Sequence, residues 1–551
     1  MKKLKVLLVN PICMPSVSEF VKNARRSKIN ADEPLGLAYI SAWIRKKIPQ
    51  VQIEIYDHHI ISLRYIYKNK RITKEKILNL LKKKISQYKP NIVGIGALYH
   101  MNADLAHLTA KIVKKINKKT IVIMGGIYPT ASGSEVLKDK NIDFIIPGEG
   151  EIPFQDFLEF QLGKKHLNEL KSIGYRLEGS KKIEFRRESP FIKNIDEIGF
   201  PDRTTLPIGK YSIWGRTFVD RFYHPNTVVT AVQPTRGCPF QCTFCCGHII
   251  TSRIYRTRNI KNVIKEMKYL KNKYGIEVFT FNDENANANP NWWINLYDEI
   301  IKSKLNIKWC HSGGFYVGLM NDEFIEKAIK SGLIMFNLAI ESGSPKILRL
   351  VKKTEKIIEN APKVVRKIRK IAPNMYITGF FICGFPFETH KDIKTTINFA
   401  KNLDLDWTRF NIFTPFPGSE LYTYCLNHQH LSVGNFSRKN LRFLLTTRLK
   451  KMPIPPKKLE NIVYLANLDL NFVNSRTLRT NNLEQAARDY EHVVNIVPDH
   501  VLAHWCLAKA YTGLNRPREA EKMTKKTLNI TKKNRTQARY LKHFNISLKK
   551  A

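Results

Sequence analysis

The sequence lacks any long hydrophobic run. No stretch of the 551 residues contains the roughly 18 consecutive apolar residues that a membrane-spanning helix needs. At the amino terminus, the apolar run VLLV is only four residues long before Asn10-Pro11, too short for the core of a secretory signal peptide. We therefore expect a soluble, cytoplasmic protein without a membrane span.

Acidic residues are scarce as well. The chain has 47 Asp and Glu residues against 92 Lys and Arg residues, which gives a formal net charge of +45 at pH 7. Such a charge attracts phosphates and acidic lipid headgroups. The lysines are spread along the chain, which favours a solvated basic surface, and we do not expect nucleic acid as a partner. The exception is the tail from Lys522 to the end, which has ten basic residues and no acidic one.

Cysteines are few and unevenly placed. There are nine, an odd number, and five of them are scattered singly, unlike the paired frameworks of small secreted proteins. The other four lie in the stretch PTRGCPFQCTFCCGH (234–248), as Cys238-x3-Cys242-x2-Cys245 followed directly by Cys246. We therefore expect reduced thiols that are concentrated in one loop.

This cysteine loop has no second CxxC-type pair elsewhere in the sequence to complete a closed zinc site. His248 could be a fourth ligand, but so many ligands within one short stretch would be cramped. Three thiolates on one loop better suit a [4Fe–4S] cluster with one iron left open, because thiolates are the usual protein ligands of iron–sulfur clusters. An open iron is a place where a substrate or cofactor can bind.

Residues 1–165 alternate strand-like runs such as KVLLVN (5–10) with amphipathic segments, which predict helices over 35–47 and 74–88. Strands that alternate with helices predict an α/β domain with a doubly wound parallel sheet. Ligands of such sheets bind at the carboxyl ends of the strands. Residues 166–226 are less regular, and we interpret them as a linker.

A second alternating block covers residues 227–440. Its strand-like runs are at 227–232, 278–281, 306–309, 334–340, 375–382 and 407–413. This pattern predicts a partial (β/α)6 barrel of the TIM type. The cysteine loop follows the first of these strands, where the active sites of such barrels lie.

Strand signals stop after about residue 440, and residues 441–551 predict an all-α region. Ala486 and Ala520 are 34 residues apart, the period of the tetratricopeptide (TPR) helix pair, and Pro498 closes the first unit. Two visible units are fewer than a free solenoid needs, so we expect these helices to pack on the barrel. The alternative is that they dock a partner or carrier protein.

The motif Cys-x3-Cys-x2-Cys after the first strand of a six-unit barrel resembles the radical S-adenosylmethionine (SAM) superfamily. The resemblance implies that Cys238, Cys242 and Cys245 bind a [4Fe–4S] cluster and that the open iron takes the amino and carboxylate groups of SAM. It leaves Cys246 as a packing residue beside the ligands. It also implies SAM contacts from the aromatic residue before the last ligand and from polar clusters after later strands: Phe244, Asn282, Asp283, Glu341 and Ser342.

The first domain resembles the cobalamin-binding fold that precedes radical SAM barrels in a group that includes the anaerobic magnesium-protoporphyrin cyclase and many C-methyltransferases. The resemblance implies cobalamin contacts at strand ends: Gly96, Leu98, Gly125, Gly126, Thr130, Gly148 and Glu149. Many members supply a cobalt-binding histidine after the first strand, but residues 10–34 contain none. Asp57-His58-His59 imitates that motif after the second strand without its glycine, and His100 follows the third strand. We expect cobalamin to be bound without a protein histidine.

The combined resemblance implies an enzyme. An electron from the cluster would cleave SAM to a 5′-deoxyadenosyl radical, which would take hydrogen from an unactivated carbon, and methylcobalamin would deliver a methyl group. The substrate would be a small hydrophobic molecule, such as a lipid or tetrapyrrole, and the electron donor a flavodoxin or ferredoxin. The sequence assigns no catalytic residue.

Three other functions use parts of the same sequence. Radical cyclisation or rearrangement of a tetrapyrrole- or lipid-like substrate needs the same motifs as methyl transfer. RNA methylthiolation would need further cysteines in the first domain, which has only Cys13. A non-catalytic scaffold acting through the TPR-like tail would not need the intact ligand spacing.

Overall fold

The computed structural model describes residues 4–26, 29–69, 72–98, 100–180, 182–188, 191–215, 222–223, 227–431 and 449–548. Across these residues, no helix is both long and apolar enough to cross a membrane. The chain forms an amino-terminal α/β domain, a second α/β domain and a carboxy-terminal helical region, in that order. The predicted boundary at 440/441 and the last three residues of the basic tail lie outside the described residues.

The amino-terminal sheet begins with parallel strands, as the alternation predicts. They are β1 (Lys5–Asn10), β2 (Gln52–Asp57), β3 (Ile92–Gly96), β4 (Ile121–Gly125) and β5 (Phe144–Ile146). Their order is β2-β1-β3-β4-β5, and each neighbouring pair runs parallel. Along β1, Val6 and Leu8 pack in one hydrophobic core and Leu7 and Val9 in a second, so both faces are buried.

The helices of this domain pack on the two faces of the sheet. They are α1 (Val17–Arg26), α2 (Leu35–Lys47), α3 (His58–Lys68), α4 (Lys74–Tyr88), α5 (Ala103–Ile116), α6 (Ile127–Ala131), α7 (Gly133–Val136) and α8 (Glu151–Gln161). The strand order reverses at β1 and β3, and the carboxyl ends of the strands there form the crevice in which such folds bind ligands.

Within residues 166–226, interpreted above as a linker, two short strands continue the sheet. Two strands, β6 (Ser172–Arg176) and β7 (Ile183–Arg187), pair antiparallel next to β5 and with each other. β7 is the edge strand of the sheet. Because an edge strand is partly exposed to solvent, its sequence IEFRR is rich in charged residues. After α9 (Tyr211–Trp214) the chain enters the second domain.

The second domain contains two parallel sheets and a small hairpin. Its strands are β8 (Val229–Val232), β9 (Thr235–Arg236), β10 (Arg256–Thr257), β11 (Val278–Phe281), β12 (Lys308–His311), β13 (Met335–Glu341), β14 (Tyr376–Cys383) and β15 (Trp407–Ile412). The sheets have the orders β12-β11-β8 and β13-β14-β15, and isolated parallel bridges connect them, Trp309 to Leu333 and Phe315 to Leu338. The parallel α/β architecture is confirmed.

Helices alternate with these strands. They are α10 (His248–Thr251), α11 (Ile260–Tyr274), α12 (Pro290–Lys302), α13 (Asp322–Lys330), α14 (Pro345–Leu350), α15 (Lys356–Ile371), α16 (His390–Lys401) and α17 (Glu420–Asn427). The active-site crevice of such a domain lies at the carboxyl ends of the strands.

The carboxy-terminal region is helical, as predicted. Its helices are α18 (Pro456–Leu468), α19 (Arg476–Arg479), α20 (Leu483–Ile496), α21 (Val501–Gly513), α22 (Pro517–Lys533) and α23 (Arg535–His543). Consecutive helices from α20 to α22 pack against each other around a separate core that includes Ala486, Tyr490 and Leu507. Their assignment to TPR pairs stays a prediction.

Asparagine side chains from this region cover the free edge of β15. Asn471, just after α18, accepts a hydrogen bond from the amide of Thr408 at 2.7 Å and donates one to its carbonyl at 2.9 Å. Asn467 makes the same pair of bonds with Phe410, at 3.1 and 3.0 Å. An unpaired strand edge is a site of aggregation, so the helical region protects the second domain as well as packing on it.

Candidate active site

The cysteine loop starts and ends in the small hairpin. β9 and β10 pair antiparallel at its base. Gly237 has a φ of +87°, and a side chain there would collide with the carbonyl of Ile254, so this turn requires glycine. Further along the loop, Phe240 stacks on Tyr316 with ring centroids 4.1 Å apart. These contacts hold the loop at the carboxyl end of β8.

The predicted cluster ligands lie together in this loop. Cys238 and Cys242 are half-buried and Cys245 is exposed. Each lies close enough to the others to influence their pKa values, and burial raises the pKa of Cys238 to about 11 and that of Cys242 to about 12. Among the described residues, no three Cys, His, Asp or Glu side chains converge on one metal ion. That these three thiols bind a cluster stays a prediction.

A buried lysine lies beside the cysteine loop. Lys353 follows α14, donates to a main-chain carbonyl of β13 at 2.8 Å and pairs with the Glu341 carboxylate at 3.2 Å. Its ammonium group is 5.3 Å from the ring centre of Tyr316. Burial opposes its charge, but Glu341 and Cys242 outweigh burial and raise the pKa of Lys353. Sequence reasoning missed this residue, because a lysine within the run KKTEK resembles any surface charge.

Glu341 has an unusual backbone conformation. Its φ is +68°, and the register between β13 and β14 shifts at the same place. A non-glycine residue in this left-handed region costs about 1 kcal/mol or more, and such costs are concentrated at functional sites. The carboxylate lies near enough to Cys242 and Cys245 to raise the pKa of each thiol further. Glu341 therefore lies beside the cysteine loop, and its contact with SAM stays a prediction.

Two other predicted SAM contacts remain accessible. Phe244 is half-buried and packs against Phe385, with ring centroids 6.0 Å apart. Asn282 is half-buried directly after β11. Phe244 thus lies within the cysteine loop and Asn282 at the carboxyl end of β11, and their contact with SAM stays a prediction.

Asp283 and Ser342, the remaining predicted SAM contacts, are hydrogen-bonded to neighbouring elements of the site. Asp283 is buried and accepts hydrogen bonds from the amide of Thr235 at 2.6 Å and from its hydroxyl at 2.7 Å, so it anchors β9 beneath the loop. Ser342 is fully buried, and its hydroxyl bonds to the Thr396 hydroxyl at 3.0 Å. These hydrogen bonds hold the walls of the site, while Oδ2 of Asp283 has no hydrogen-bond partner among the described residues, and contact of either residue with SAM stays a prediction.

The predicted cobalamin contacts gather at one edge of the first sheet. Gly96 ends β3 and Gly125 ends β4. Leu98 is 52% exposed at this edge, a large fraction for leucine. Gly148 has a φ of +80°, and a side chain there would meet nothing nearer than a carbonyl at 4.0 Å. We call these carboxyl-terminal strand ends, around Gly96, Gly125 and Gly148, the glycine edge. It is open and apolar, so the backbone could closely approach a large flat ligand there.

Thr130 joins two loops of the glycine edge. Its hydroxyl donates to the carbonyl of Gly126 at 2.7 Å and accepts from the amide of Gly148 at 3.0 Å. Gly126 has a φ of +113°, and a side chain there would lie 2.5 Å from the carbonyl of Ala97. The loops after β4 and β5 are therefore held at a fixed separation by one hydroxyl and one obligatory glycine.

The side chain of Glu149 pairs with an arginine of the second domain. Its carboxylate binds the guanidinium of Arg256 through two hydrogen bonds, at 3.0 and 2.5 Å. Arg256 belongs to β10, so the pair joins the two domains. The carboxylate is buried as well as paired, and the contact of Glu149 with cobalamin stays a prediction.

The histidines near the glycine edge are engaged in the fold. His59 accepts from the amide of Cys13 at 3.0 Å through Nδ1 and donates to the carbonyl of Asn30 at 2.8 Å through Nε2. Burial lowers the pKa of His59 to about 4, so its ring is neutral and both nitrogens are used. His58 and His100 are also buried, and each has a hydrogen bond to a carbonyl or hydroxyl oxygen.

Comparison with protein families divides the chain in the same way. Residues 32–158 match the model of the B12 binding domain, and residues 232–400 match that of the Radical SAM superfamily. The first match contains the glycine edge, and the second contains the cysteine loop.

Curated relatives include a methyltransferase and a cyclase. An uncharacterized methyltransferase of Pyrococcus horikoshii is 30% identical over 441 residues, which cover 80% of this chain and 86% of that protein. The anaerobic magnesium-protoporphyrin IX monomethyl ester cyclase of Rubrivivax gelatinosus is 29% identical over 351 residues, which cover 62% of this chain and 60% of that protein.

Solved structures share the fold. TsrM from Kitasatospora setae, a radical S-adenosylmethionine methyltransferase with cobalamin and a [4Fe–4S] cluster bound, gives a TM-score of 0.60 at 16% identity and covers 78% of each chain. OxsB, a cobalamin-dependent S-adenosylmethionine radical enzyme with aqua-cobalamin and S-adenosylmethionine bound, gives 0.64 at 13% identity and covers 98% of this chain and 80% of that one.

Proposed function

The chain belongs to the cobalamin-dependent radical SAM family of methyltransferases and cyclases, and from this premise we propose that it methylates an unactivated carbon of a small hydrophobic substrate. When bound, the [4Fe–4S] cluster and cobalamin supply the electron that cleaves SAM to a 5′-deoxyadenosyl radical and the carrier of the methyl group. A flavodoxin or ferredoxin would provide the electron. The chain itself binds and orients these groups and excludes water from them.

One observation carries the proposal: the cysteine loop and the glycine edge are neighbours. α10 follows the loop directly and packs on α6, which follows the glycine edge. The carbonyl of Ile250 in α10 lies 4.0 Å from where a side chain at Gly148 would be. A radical formed at one site and a methyl group carried at the other could therefore reach the same substrate, which is what this reaction requires.

On the cluster side, the proposed ligands are Cys238, Cys242 and Cys245. Lys353 and Glu341 pair with each other beside Cys242 and would flank SAM, whose amino and carboxylate groups the open iron would take. Phe244 and Asn282 would contact the rest of the molecule, while Asp283 and Ser342 would take part only through their main chain.

On the cobalamin side, the backbone makes most of the proposed contacts. They come from Gly96, Gly125, Gly126, Gly148 and the main chain of Glu149, with Leu98 packing on the ring and Thr130 bracing the loops. We propose that no histidine of the chain binds cobalt, because His59 uses both ring nitrogens in hydrogen bonds.

The helical region would serve mainly to complete the barrel. Its asparagine contacts to β15 support this role, since they replace the strand that a closed barrel would place there. The TPR-like pairs would then leave their outer, basic surface for a partner or carrier protein.

Radical cyclisation is a second candidate, favoured by the similarity to the magnesium-protoporphyrin cyclase. The two candidates differ in their products. Methyl transfer forms S-adenosylhomocysteine as well as 5′-deoxyadenosine, because one SAM gives the methyl group and another gives the radical. Cyclisation forms 5′-deoxyadenosine alone.

The test uses the full chain purified and reconstituted without oxygen. Iron, sulfide and cobalt are measured first, and the protein is then incubated with a reductant, SAM and a small-molecule cell extract. We expect both SAM products by mass spectrometry, together with an extract component whose mass increases by that of one methylene group. The variant Cys242→Ala should lose most of its iron and all cleavage of SAM.

Cys246→Ala is the matched control, because it removes the adjacent thiol and leaves the proposed ligands in place. It should keep the iron content and the activity of the unchanged chain. Zinc in place of iron, or unchanged iron in Cys242→Ala, would contradict the proposal. A full cluster without any cleavage of SAM would favour the scaffold function.

A further inference from the structure

Two buried arginines lie at the base of the cysteine loop. Arg236 and Arg256 are opposite each other in the β9–β10 hairpin, and Arg236 is two residues before Cys238. Both side chains reach into the first domain. Arg256 binds both carboxylate oxygens of Glu149, and Arg236 binds Glu151 at 2.7 Å.

The acidic partners belong to the opposite cofactor site. Glu149 directly follows Gly148 of the glycine edge, and Glu151 is the first residue of α8. The proposed binding of cluster and cobalamin uses thiols and glycines, so it leaves these carboxylates unexplained. Ion pairs thus connect the cysteine loop to the loop that ends the glycine edge.

All four side chains are almost completely removed from water, with 5–7% of each exposed. A longer contact of 3.7 Å between Arg236 and Glu149 joins the two pairs into one network. Buried ion pairs add little net stability, but separating them leaves unpaired charges in a dry interface, which is strongly unfavourable. The two-point pair between Arg256 and Glu149 restricts orientation as well as distance.

We propose that this arginine–glutamate network of Glu149, Glu151, Arg236 and Arg256 is a positioning device that fixes the separation between the cysteine loop and the glycine edge. The inference rests on the proposed function, because this separation matters only when both cofactors bind. An error of about 1 Å in the placement of reacting groups can cost a hundredfold in rate. A looser network would allow cleavage of SAM to continue while methyl delivery falls.

The first test needs no cofactor. Hydrogen exchange is followed in the full chain for residues 238–247 and for residues 147–150. In Glu149→Gln, amides of the cysteine loop should exchange about tenfold faster or more, although the substitution lies in the other domain. Arg236→Lys, which keeps the charge but cannot contact Glu149 and Glu151 through two separate nitrogens, replaces it if Glu149→Gln does not fold.

The second test uses the reconstituted protein. Pulsed electron paramagnetic resonance measures the distribution of distances between the reduced cluster and cob(II)alamin. We expect a narrow distribution in the unchanged chain, a broad one in Arg256→Gln and an intermediate one in Arg256→Lys. A residue that only stabilised the fold would lower the melting temperature without broadening this distribution.

Arg476→Gln is the matched control, because Arg476 is an equally buried arginine that pairs with Asp404 and Asp406 far along the chain. It should lower stability to a similar extent and leave both the exchange of residues 238–247 and the distance distribution unchanged. Unchanged exchange in Glu149→Gln, or an unchanged distribution in Arg256→Gln, would overturn the inference. Failure of the unchanged chain to bind cluster or cobalamin would instead refute the proposed function, while coupled exchange between the two loops would still support the network.

Discussion

The asparagine cover of β15 gives the sharpest quantitative prediction. In Asn471→Ala, the amide and the carbonyl of Thr408 lose the partners that they have at 2.7 and 2.9 Å. Both groups are buried, and an unpaired buried polar group costs about 1–3 kcal/mol, so the two together should cost roughly 3 kcal/mol. Because a cost of about 1.4 kcal/mol is tenfold in an equilibrium, the opening of β15 should become roughly a hundredfold more frequent.

The assay is native-state hydrogen exchange of residues 407–412, since a chain with several domains does not unfold in one step. Asn467→Ala is the control: it removes the same pair of bonds from Phe410 at a less buried position. Water can replace those bonds in part, so exchange should rise by only about tenfold. If Asn471→Ala exchanged no faster than Asn467→Ala, the reasoning from burial would be refuted.

Three further predictions concern single features of the fold. Gly126→Ala should lose most bound cobalt after reconstitution, because its φ of +113° and the nearby carbonyl exclude a side chain, whereas Gly36→Ala, with nothing within 4 Å, should retain it. Burial raises the pKa of Glu388 from 4.5 to about 8, so the folded chain should lose up to about 5 kcal/mol of stability as the pH rises between these values. In Glu388→Gln, the melting temperature should no longer fall with pH in this range. If it fell as steeply as in the unchanged chain, Glu388 would not be the group responsible. A chain that ends at residue 431 should aggregate by light scattering, because the edge of β15 is then uncovered; a monodisperse product would contradict that role.

The long helices could be predicted from the sequence, because their apolar spacing and capping residues lie within the helix itself or next to it. The structure has helices over Leu35–Lys47 and Leu-rich Lys74–Tyr88, as the periodic apolar pattern predicts. Thr73 caps the second of these through a hydrogen bond to an amide in its first turn. β6 and β7 were not predicted, because a short edge hairpin with charged side chains has no alternating apolar pattern.

The site divides in the same way. The cysteine loop depends on a spacing within one short stretch, so the sequence is sufficient to predict it. The pairing of Glu149 with Arg256 joins residues that are 107 positions apart, and no local pattern marks it. Lys353 likewise becomes distinctive only when folding buries it against Glu341. Roles that depend on burial and on distant partners need the three-dimensional arrangement.

The two sheets of the second domain are joined by isolated bridges, whereas the strands within each sheet form continuous ladders. A backbone cut before Asn321, the exposed residue that caps α13 between β12 and β13, would therefore break no ladder. Each fragment would keep its own set of fully paired strands. The two fragments, produced separately in one cell, should reassemble into the folded protein. The boundary between the two sheets is therefore a suitable place to divide the chain for a split-protein reporter.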